Sequence, residues 1–363
     1  MKNILVIVGT RPNFIKVTRF KDCAAQMGCD LRIVHTGQHF DTNMAEVFFR
    51  QLHVQPDYLL EIPASEPEQQ VLLIQAKLIK LMATTFRPDL VMVVGDVNST
   101  RAGAEAAHIC NIPIAHVESG LRSFDQTMPE EINRIVADNL SSFYFITEQS
   151  GIDNLLHEGK PADRLFLVGN TMIDTLVHFH EQIMQDRILD HLQLEENRFV
   201  LMTMHRPSNV DTAYGLTVLW HNLRWITTHL PVVFPMHPRT RQRIASLGME
   251  EQFTSMPQLI VTEPLDYFAF QRLIAGCLCV VTDSGGIQEE ATFRTKPCLT
   301  MRPNTERPVT ITIGSNTLVT EGLTGLQPLM QAILNGTYKI GQIPPLWDGH
   351  ATERIFRILA QYD

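Results

Sequence analysis

Residues 90–100 read Leu-Val-Met-Val-Val-Gly-Asp-Val-Asn-Ser-Thr. An apolar run with no polar alternation suits a strand buried on both faces, and a glycine turn leading into a helical pattern marks a βαβ unit of a parallel sheet. The same pattern recurs along the chain. Candidate strands in the first half are 4–8, 31–35, 90–95, 112–117, 143–146 and 165–168, and in the second half 200–204, 232–236, 259–262, 278–282, 298–301 and 317–319. Two doubly wound domains follow. At roughly 100–200 residues per domain, 363 residues accommodate both. The N-terminal one is expected over 1–170 and the C-terminal one over 171–349, with a helical stretch at 172–189 near the join. The last helix, 350–363, follows a proline-rich segment and is expected to complete the N-terminal domain.

Composition narrows the function. With 44% hydrophobic and 19% charged residues, the chain is neither disordered nor fibrous. A formal charge of -9, from 30 Lys and Arg against 39 Asp and Glu, argues against nucleic acid as a partner. No apolar stretch approaches the ~20 residues of a membrane helix, and residues 1–10 read as a strand rather than a leader. A soluble, cytoplasmic protein is the expectation. Cys23, Cys29, Cys110, Cys277, Cys279 and Cys298 form no CxxC pair, so neither disulfides nor zinc are expected. No GxGxxG, P-loop or HExxH motif occurs, which disfavours a nicotinamide cofactor, ATP hydrolysis and metal catalysis.

Ligands of doubly wound sheets sit at the carboxyl ends of strands. Those positions hold Gly9 to Asn13, His35 to His39, Gly95 to Thr100, His116 to Arg122, His205-Arg206, His237 to Arg239 and Asp283 to Gly286. So many polar strand ends imply a cleft between two sheets. Ser284, Gly285 and Gly286 end a strand and open a helix, either as an anion site fit for a diphosphate or as a plain glycine turn with a Ser or Asp cap. Arg302 and Arg307, soon after the next strand, tilt the reading toward phosphate. Glu289 and Glu290, one turn inward, are placed to accept from ribose hydroxyls. Asp96 and Glu118 end apolar strands, where a carboxylate can serve as an acid or base; the alternatives are helix capping or ion pairs with Arg101 or Arg122. Pro129 opens a helix with Glu130, Asn133 and Arg134 on one face and Ile132, Ile135, Val136 and Leu140 on the other, although Glu130 and Arg134 also suit a solvated pair. His205 reads as either a core histidine or a site residue.

Together these residues resemble the non-hydrolysing UDP-N-acetylglucosamine 2-epimerase family over essentially the whole chain. The resemblance rests on Gly9-Thr10-Arg11-Pro12, His-Thr-Gly-Gln-His at 35–39, Gly95-Asp96, the run from His116 to Arg122, Pro129 to Arg134, His205-Arg206, Thr282 to Gly286 with Gln288 to Glu290, and Thr305 to Pro308. It implies a GT-B-like fold of two Rossmann-like domains with an interdomain cleft, no cofactor, a UDP-sugar substrate, a homodimer and a place in polysaccharide biosynthesis. By the same resemblance Asp96, Glu118, Glu130 and His205 match catalytic positions. Arg11, Lys16, His237, Ser284, Gly285, Gly286, Glu290 and Arg307 match nucleotide-binding ones, and Phe270 an aromatic beside the uracil. The implied reaction interconverts UDP-GlcNAc and UDP-ManNAc by eliminating UDP to a 2-acetamidoglucal and re-adding it.

The chain departs from the family pattern in four places. Asn13 and Val309 stand where Glu is frequent. The stretches Gln38-His39-Phe40-Asp41 and His205-Arg206-Pro207-Ser208-Asn209 differ from those that hold an activating UDP-GlcNAc in regulated members, so activation is expected to be weak or absent. The first of these resembles relatives acting on diacetamido uronic acids. The rivals are therefore an epimerase of such a modified sugar, a hydrolysing epimerase, a GT-B glycosyltransferase and a non-catalytic sugar-nucleotide sensor.

Overall fold

The computed structural model describes residues 2–37, 47, 49–63, 65–320 and 322–362. It divides into two compact units, one comprising residues up to His178 together with those from Pro345 onward, the other Phe179–Pro344. The expected helical stretch 172–189 is three helices, Thr171–His178, His180–Gln185 and Ile188–His191, and the units divide between the first two. The first helix is tied to the N-terminal unit. Thr175 Oγ1 donates to the Ile15 carbonyl at 2.5 Å, and Asp174 accepts from the backbone N–H groups of Ala351 (3.0 Å) and Thr352 (2.6 Å).

The N-terminal unit holds seven strands: β1 (Asn3–Val8), β2 (Asp30–His35), β3 (Tyr58–Leu59), β4 (Leu90–Val94), β5 (Ile114–Val117), β6 (Phe143–Ile146) and β7 (Leu165–Leu167). All pair in parallel, in the order β3-β2-β1-β4-β5-β6-β7. The C-terminal unit holds β8 (Val200–Thr203), β9 (Val232–Pro235), β10 (Leu259–Thr262), β11 (Cys279–Thr282), β12 (Cys298–Thr300) and β13 (Asn316–Leu318). These are also parallel, ordered β10-β9-β8-β11-β12-β13. Both are doubly wound Rossmann-like sheets. In each, the strand order reverses beside the first strand, between β1 and β4 or between β8 and β11, and a crevice forms at such a point.

Every strand expected from the sequence is present, with ends moved by up to two residues. The two-residue edge strand β3 was not legible, because two residues carry no periodicity. Strand β4 is buried along its length, and each of its large side chains stabilises the fold by roughly 1.5–3 kcal/mol relative to exposure. The helix Asn98–Ile109 covers β1 and β4 with Ala102, Ala106 and Ala107. Among the described residues no helix is long and apolar enough to cross a membrane.

The C-terminal segment closes the N-terminal unit. Trp347 is fully buried and its indole N–H donates to the Thr147 carbonyl at 3.1 Å. The final helix, Ala351–Leu359, buries Ile355, Phe356 and Leu359, with Phe356 edge-on to Phe20 at 5.6 Å. Its first N–H groups are those held by Asp174, so a side chain of one helix caps another. Trp347→Ala removes a filled volume and a bonded indole. It should lower the unfolding free energy of the N-terminal unit by roughly 3–5 kcal/mol in denaturant titrations, whereas Trp347→Phe costs less.

Candidate functional site

In the N-terminal unit the expected site residues gather at the ends of β1, β4 and β5. The short helix Arg11–Lys16 starts at the end of β1 and is capped by Thr10 and Asn13, the Asn13 carbonyl accepting from Gly9 N (3.0 Å) and Thr10 N (3.2 Å). The Asn13 amide also donates to the Val94 carbonyl at 3.0 Å. A Glu carboxylate in its place could not donate, so this departure ties the β1 turn to β4. Arg11 is half-buried, while Lys16, the last residue of the helix, is buried and ion-paired with Glu118. Glu118 follows β5, is 2% exposed and adopts φ +70. A non-glycine residue in that left-handed region costs on the order of 1–3 kcal/mol and persists only where its surroundings enforce it.

Arg134 of the helix Pro129–Leu140 is 1% exposed, pairs with Asp96 and lies 3.6 Å from the second Glu118 oxygen. Asp96 is therefore neither a helix cap nor a partner of Arg101, which pairs with Glu68 and Glu105. Lys16, Glu118, Arg134 and Asp96 form one alternating chain of charge. Gly95, at φ +69, is the turn that permits it: a Cβ there would stand 3.2 Å from Lys16 Nζ.

The face expected of the helix Pro129–Leu140 is corrected by the structure. Its buried side is Glu131, Asn133, Arg134, Ala137 and Asp138, while Ile132 is exposed and Ile135 and Val136 half-buried. No solvated Glu130–Arg134 pair exists, because Arg134 turns inward. The helix buries polar groups because it covers the strand ends rather than the strands. Asn133 donates to the Asp96 carbonyl and to Asn98 Oδ1, both at 3.1 Å. Glu131 accepts from Ser123 N (2.8 Å), Ser123 Oγ (2.9 Å) and Phe124 N (3.0 Å). Glu130 itself is exposed at the helix start.

Beneath this group lies a second buried set that sequence reasoning missed. His116 contacts Asp138 Oδ1 through Nδ1 at 2.7 Å and the Gly95 carbonyl through Nε2 at 2.8 Å. Asp138 also takes the Gly120 N–H (3.2 Å) and Arg122 (2.7 Å), and Arg122 chelates Glu158 with two bonds of 2.8 Å. Burial pushes the Asp138 carboxyl up, but His116 and Arg122 outweigh it and hold it below its ordinary value. The turns flanking Asp96 and Glu118 are thus fixed from below. A His within an apolar strand and an Asp nine residues after Pro129 were the available signals. His35 is also buried, and burial pushes it down to about 4, so it is a neutral acceptor of the Gly37 N–H at 2.9 Å. Gln38 and His39 of the same motif lie outside the described residues.

In the C-terminal unit the center of the site is Asp283, directly after β11. It is fully buried and accepts from His205 N (3.0 Å), Arg206 N (2.9 Å) and Asn209 Nδ2 (3.0 Å), and it pairs with His205 Nδ1 at 3.0 Å. Burial pushes its carboxyl up, yet His205 and Asn209 prevail and lower it. His205 is not a core histidine: its side chain is 40% exposed, and its ring lies 5.5 Å from that of the exposed His237. His237 caps the helix Pro238–Ser246 by accepting from Arg239 N.

Ser284 is the N-cap of the helix Gly285–Phe293, with no side-chain capping bond, so its hydroxyl is not used to close the helix. The helix begins directly after it, at Gly285. A Cβ at Gly285 would meet Arg307 Nη1 at 2.7 Å, so any other residue there would displace the guanidinium. Arg307 is buried, pairs with Glu289 at 2.8 Å and with Glu306, and lies at the start of the helix, where backbone N–H groups attract anions. Phe270 is half-buried on the helix Tyr267–Gly276 and packs against the core of its unit. Among the described residues no cluster of His, Cys, Asp or Glu could hold a metal ion.

Glu290 is 4% exposed, and burial pushes its carboxyl up to about 7 despite Gln271 and Arg294. In the unfolded chain a Glu ionises near 4.5. Between those values the folded state keeps the proton that the unfolded state has lost, so this contribution to stability is complete below 4.5 and disappears as pH rises through 7. Glu290→Gln should remove a decline of up to about 1.4 kcal/mol per pH unit over that range, read from denaturation midpoints at pH 5 to 8.

The family model described as UDP-N-acetylglucosamine 2-epimerase matches residues 21–360. The chain is 35% identical over 362 residues to the UDP-N-acetylglucosamine 2-epimerase of Methanocaldococcus jannaschii, covering 98% of each chain. It is 41% identical over 323 residues to the UDP-2,3-diacetamido-2,3-dideoxy-D-glucuronate 2-epimerase of Pseudomonas aeruginosa, covering 87% of this chain and 88% of that one. The crystal structure of the M. jannaschii UDP-GlcNAc 2-epimerase in complex with UDP-GlcNAc and UDP superposes with a TM-score of 0.91, at 34% identity and 99% coverage of both chains. With its two parallel doubly wound sheets the fold is GT-B-like, and the chain belongs to the UDP-N-acetylglucosamine 2-epimerase family.

Proposed function

We propose that this protein is an isomerase that interconverts UDP-GlcNAc and UDP-ManNAc without a redox cofactor. The observation that carries the reading is the alternating set Lys16, Glu118, Arg134 and Asp96 at the switch point of the N-terminal sheet, two carboxylates held within one buried ionic group. Carbon 2 of the sugar is not acidic, so inversion there proceeds by elimination. A base takes the carbon 2 proton while the bond from carbon 1 to the diphosphate breaks, giving 2-acetamidoglucal and UDP. Re-addition of UDP to carbon 1 with a proton delivered to the other face of carbon 2 completes the exchange. Two acid-base groups of different placement are needed, and Asp96 and Glu118 are assigned to them. Glu130 assists or orients.

In this reading His205 and Arg307 stabilise the departing diphosphate, with the N–H groups of Ser284, Gly285 and Gly286 at a helix start, while Arg11 and Lys16 are the nucleotide-binding candidates of the N-terminal unit. Asp283 fixes the His205 ring through Nδ1, which directs Nε2 to the phosphate. Glu290 receives the ribose hydroxyls, His237 lies beside the diphosphate and Phe270 flanks the uracil. The similarity to a diacetamido-glucuronate epimerase, 41% identical, favours a second substrate for the same chemistry. A homodimer and a cytoplasmic setting are part of the proposal.

The decisive experiment is proton NMR of UDP-GlcNAc with the purified protein in heavy water, without NAD, metal or acceptor. Deuterium at carbon 2 of both the gluco and manno nucleotides, with little free UDP, is the expected result. Stoichiometric UDP release identifies a hydrolysing enzyme, and an unconverted sugar leaves an epimerase of a modified UDP-sugar, a transferase or a sensor. Running the diacetamido uronate in parallel decides the substrate. Asp96→Asn and Glu118→Gln should each lower kcat by roughly 10²–10⁴-fold while retaining UDP binding, and Arg307→Met should weaken UDP binding itself. Initial rates should rise hyperbolically with UDP-GlcNAc; a sigmoidal curve contradicts the inferred loss of substrate activation.

A further inference from the structure

The core of the C-terminal unit is not filled to its edge. At the carboxyl ends of β8, β11 and β12, beside the helix Ala213–Ile226, lies a cavity of about 170 Å³. Met202, Met204, Val218 and Val281 form apolar wall, and Asn209 and Arg302 contribute polar groups. A cavity of about 150 Å³ accepts a benzene ring, whereas pockets for drug-sized ligands and cofactors run to about 300–1,000 Å³. The space therefore suits a single ring or a short branched chain and is too small for a nucleotide.

Its cation is Arg302. The residue is 3% exposed, and its Nη2 donates to Glu306 Oε2 at 2.9 Å, while Nη1 has no hydrogen-bond partner among the described residues. Glu306 is shared, since it also pairs with Arg307. Burial lowers the Arg302 guanidinium, and the nearby charges of Arg206 and Arg307 push in the same direction, against the pull of Glu306. A buried cation with an unused donor and two like-charged neighbours is suited to an anion.

We propose that this cavity is a second ligand site, distinct from the UDP site, that takes a small apolar carboxylate, with the carboxylate beside the Arg302 guanidinium and the apolar body between the methionines and valines. Its occupant bears on nucleotide binding by two routes. Arg302 and Arg307 compete for Glu306, so a ligand that draws Arg302 away leaves Glu306 to Arg307. Asn209, which lines the cavity, also bonds Asp283, the carboxylate that holds His205. The second consequence rests on the proposed UDP reading; the existence of the site does not.

Three methionines at the cavity, Met202, Met204 and Met301, make the test direct. The full chain labelled with [methyl-13C]methionine is titrated with benzoate and, separately, with benzyl alcohol, with Met82 and Met92 of the other unit as controls. The expected result is a saturable benzoate shift confined to the three cavity methyls, at least about tenfold weaker for benzyl alcohol, the effect of one charge-assisted hydrogen bond. Val218→Phe, which fills the space, should abolish it; Val218→Met serves if the larger side chain prevents folding. Arg302→Met should erase the preference for the acid. Equal response to both probes, shifts spread over the control methyls, no shift, or benzoate binding that survives filling of the cavity would each overturn the proposal. None of these readouts requires turnover of a UDP-sugar, so the site can fail while the epimerase reading stands, or the reverse.

Discussion

The architecture of the N-terminal site depends on keeping one carboxylate, that of Glu118, charged in a place water scarcely reaches. An isolated buried charge costs several kcal/mol, and only close partners offset it. Lys16 from the β1 end and Arg134 from the helix Pro129–Leu140 supply them, which fixes where that helix must lie. The left-handed backbone of Glu118 is part of the same constraint, because the chain must turn sharply off β5 to aim the side chain at both cations. His116 and Asp138 then hold the two turns, one through the Gly95 carbonyl and one through the Gly120 N–H. Charge at the top requires more charge beneath it, and the polar layer extends as far as Glu158.

The two sheets share a topology and use it for different chemistry. At the first switch point, side chains from the segments that follow β1, β4 and β5 meet those of a covering helix as ions. At the second, a single carboxylate, Asp283, is surrounded by backbone and amide donors, and its role is to hold the β8 turn and the His205 ring. The adjoining helix start sets Gly285 against Arg307, whose guanidinium is held by the buried carboxylates of Glu289 and Glu306.

Much of this was legible in the sequence because buried parallel strands and their ends are local patterns. Twelve apolar runs located twelve strands, and the polar residues after them include those that the structure gathers at the ends of β1, β4, β5 and β11. What stayed hidden depends on tertiary partners. Edge strand β3 has two residues and no pattern of its own. The helix Pro129–Leu140 misled the amphipathic reading because its inward face meets strand ends and not a hydrophobic sheet, so Ile132 points out while Arg134 and Asp138 point in. Asp283 reads as a turn residue or cap until its donors are seen to come from residues more than seventy positions earlier in the chain.

The adjacent acids Glu130 and Glu131 show how far spacing alone can take such an argument. Both occupy the first turn after Pro129, where a helix dipole favours carboxylates equally, and nothing local distinguishes them. Glu131 is consumed as an acceptor for the 123–124 turn. It locks the loop between the β5 turn and the helix, and so sets the angle from which Arg134 reaches Asp96 and Glu118. Glu130, one position earlier, is left at the surface with its carboxylate uncommitted to that lock. A helix that turns 100° per residue thus assigns one acid to structure and leaves its neighbour at the surface.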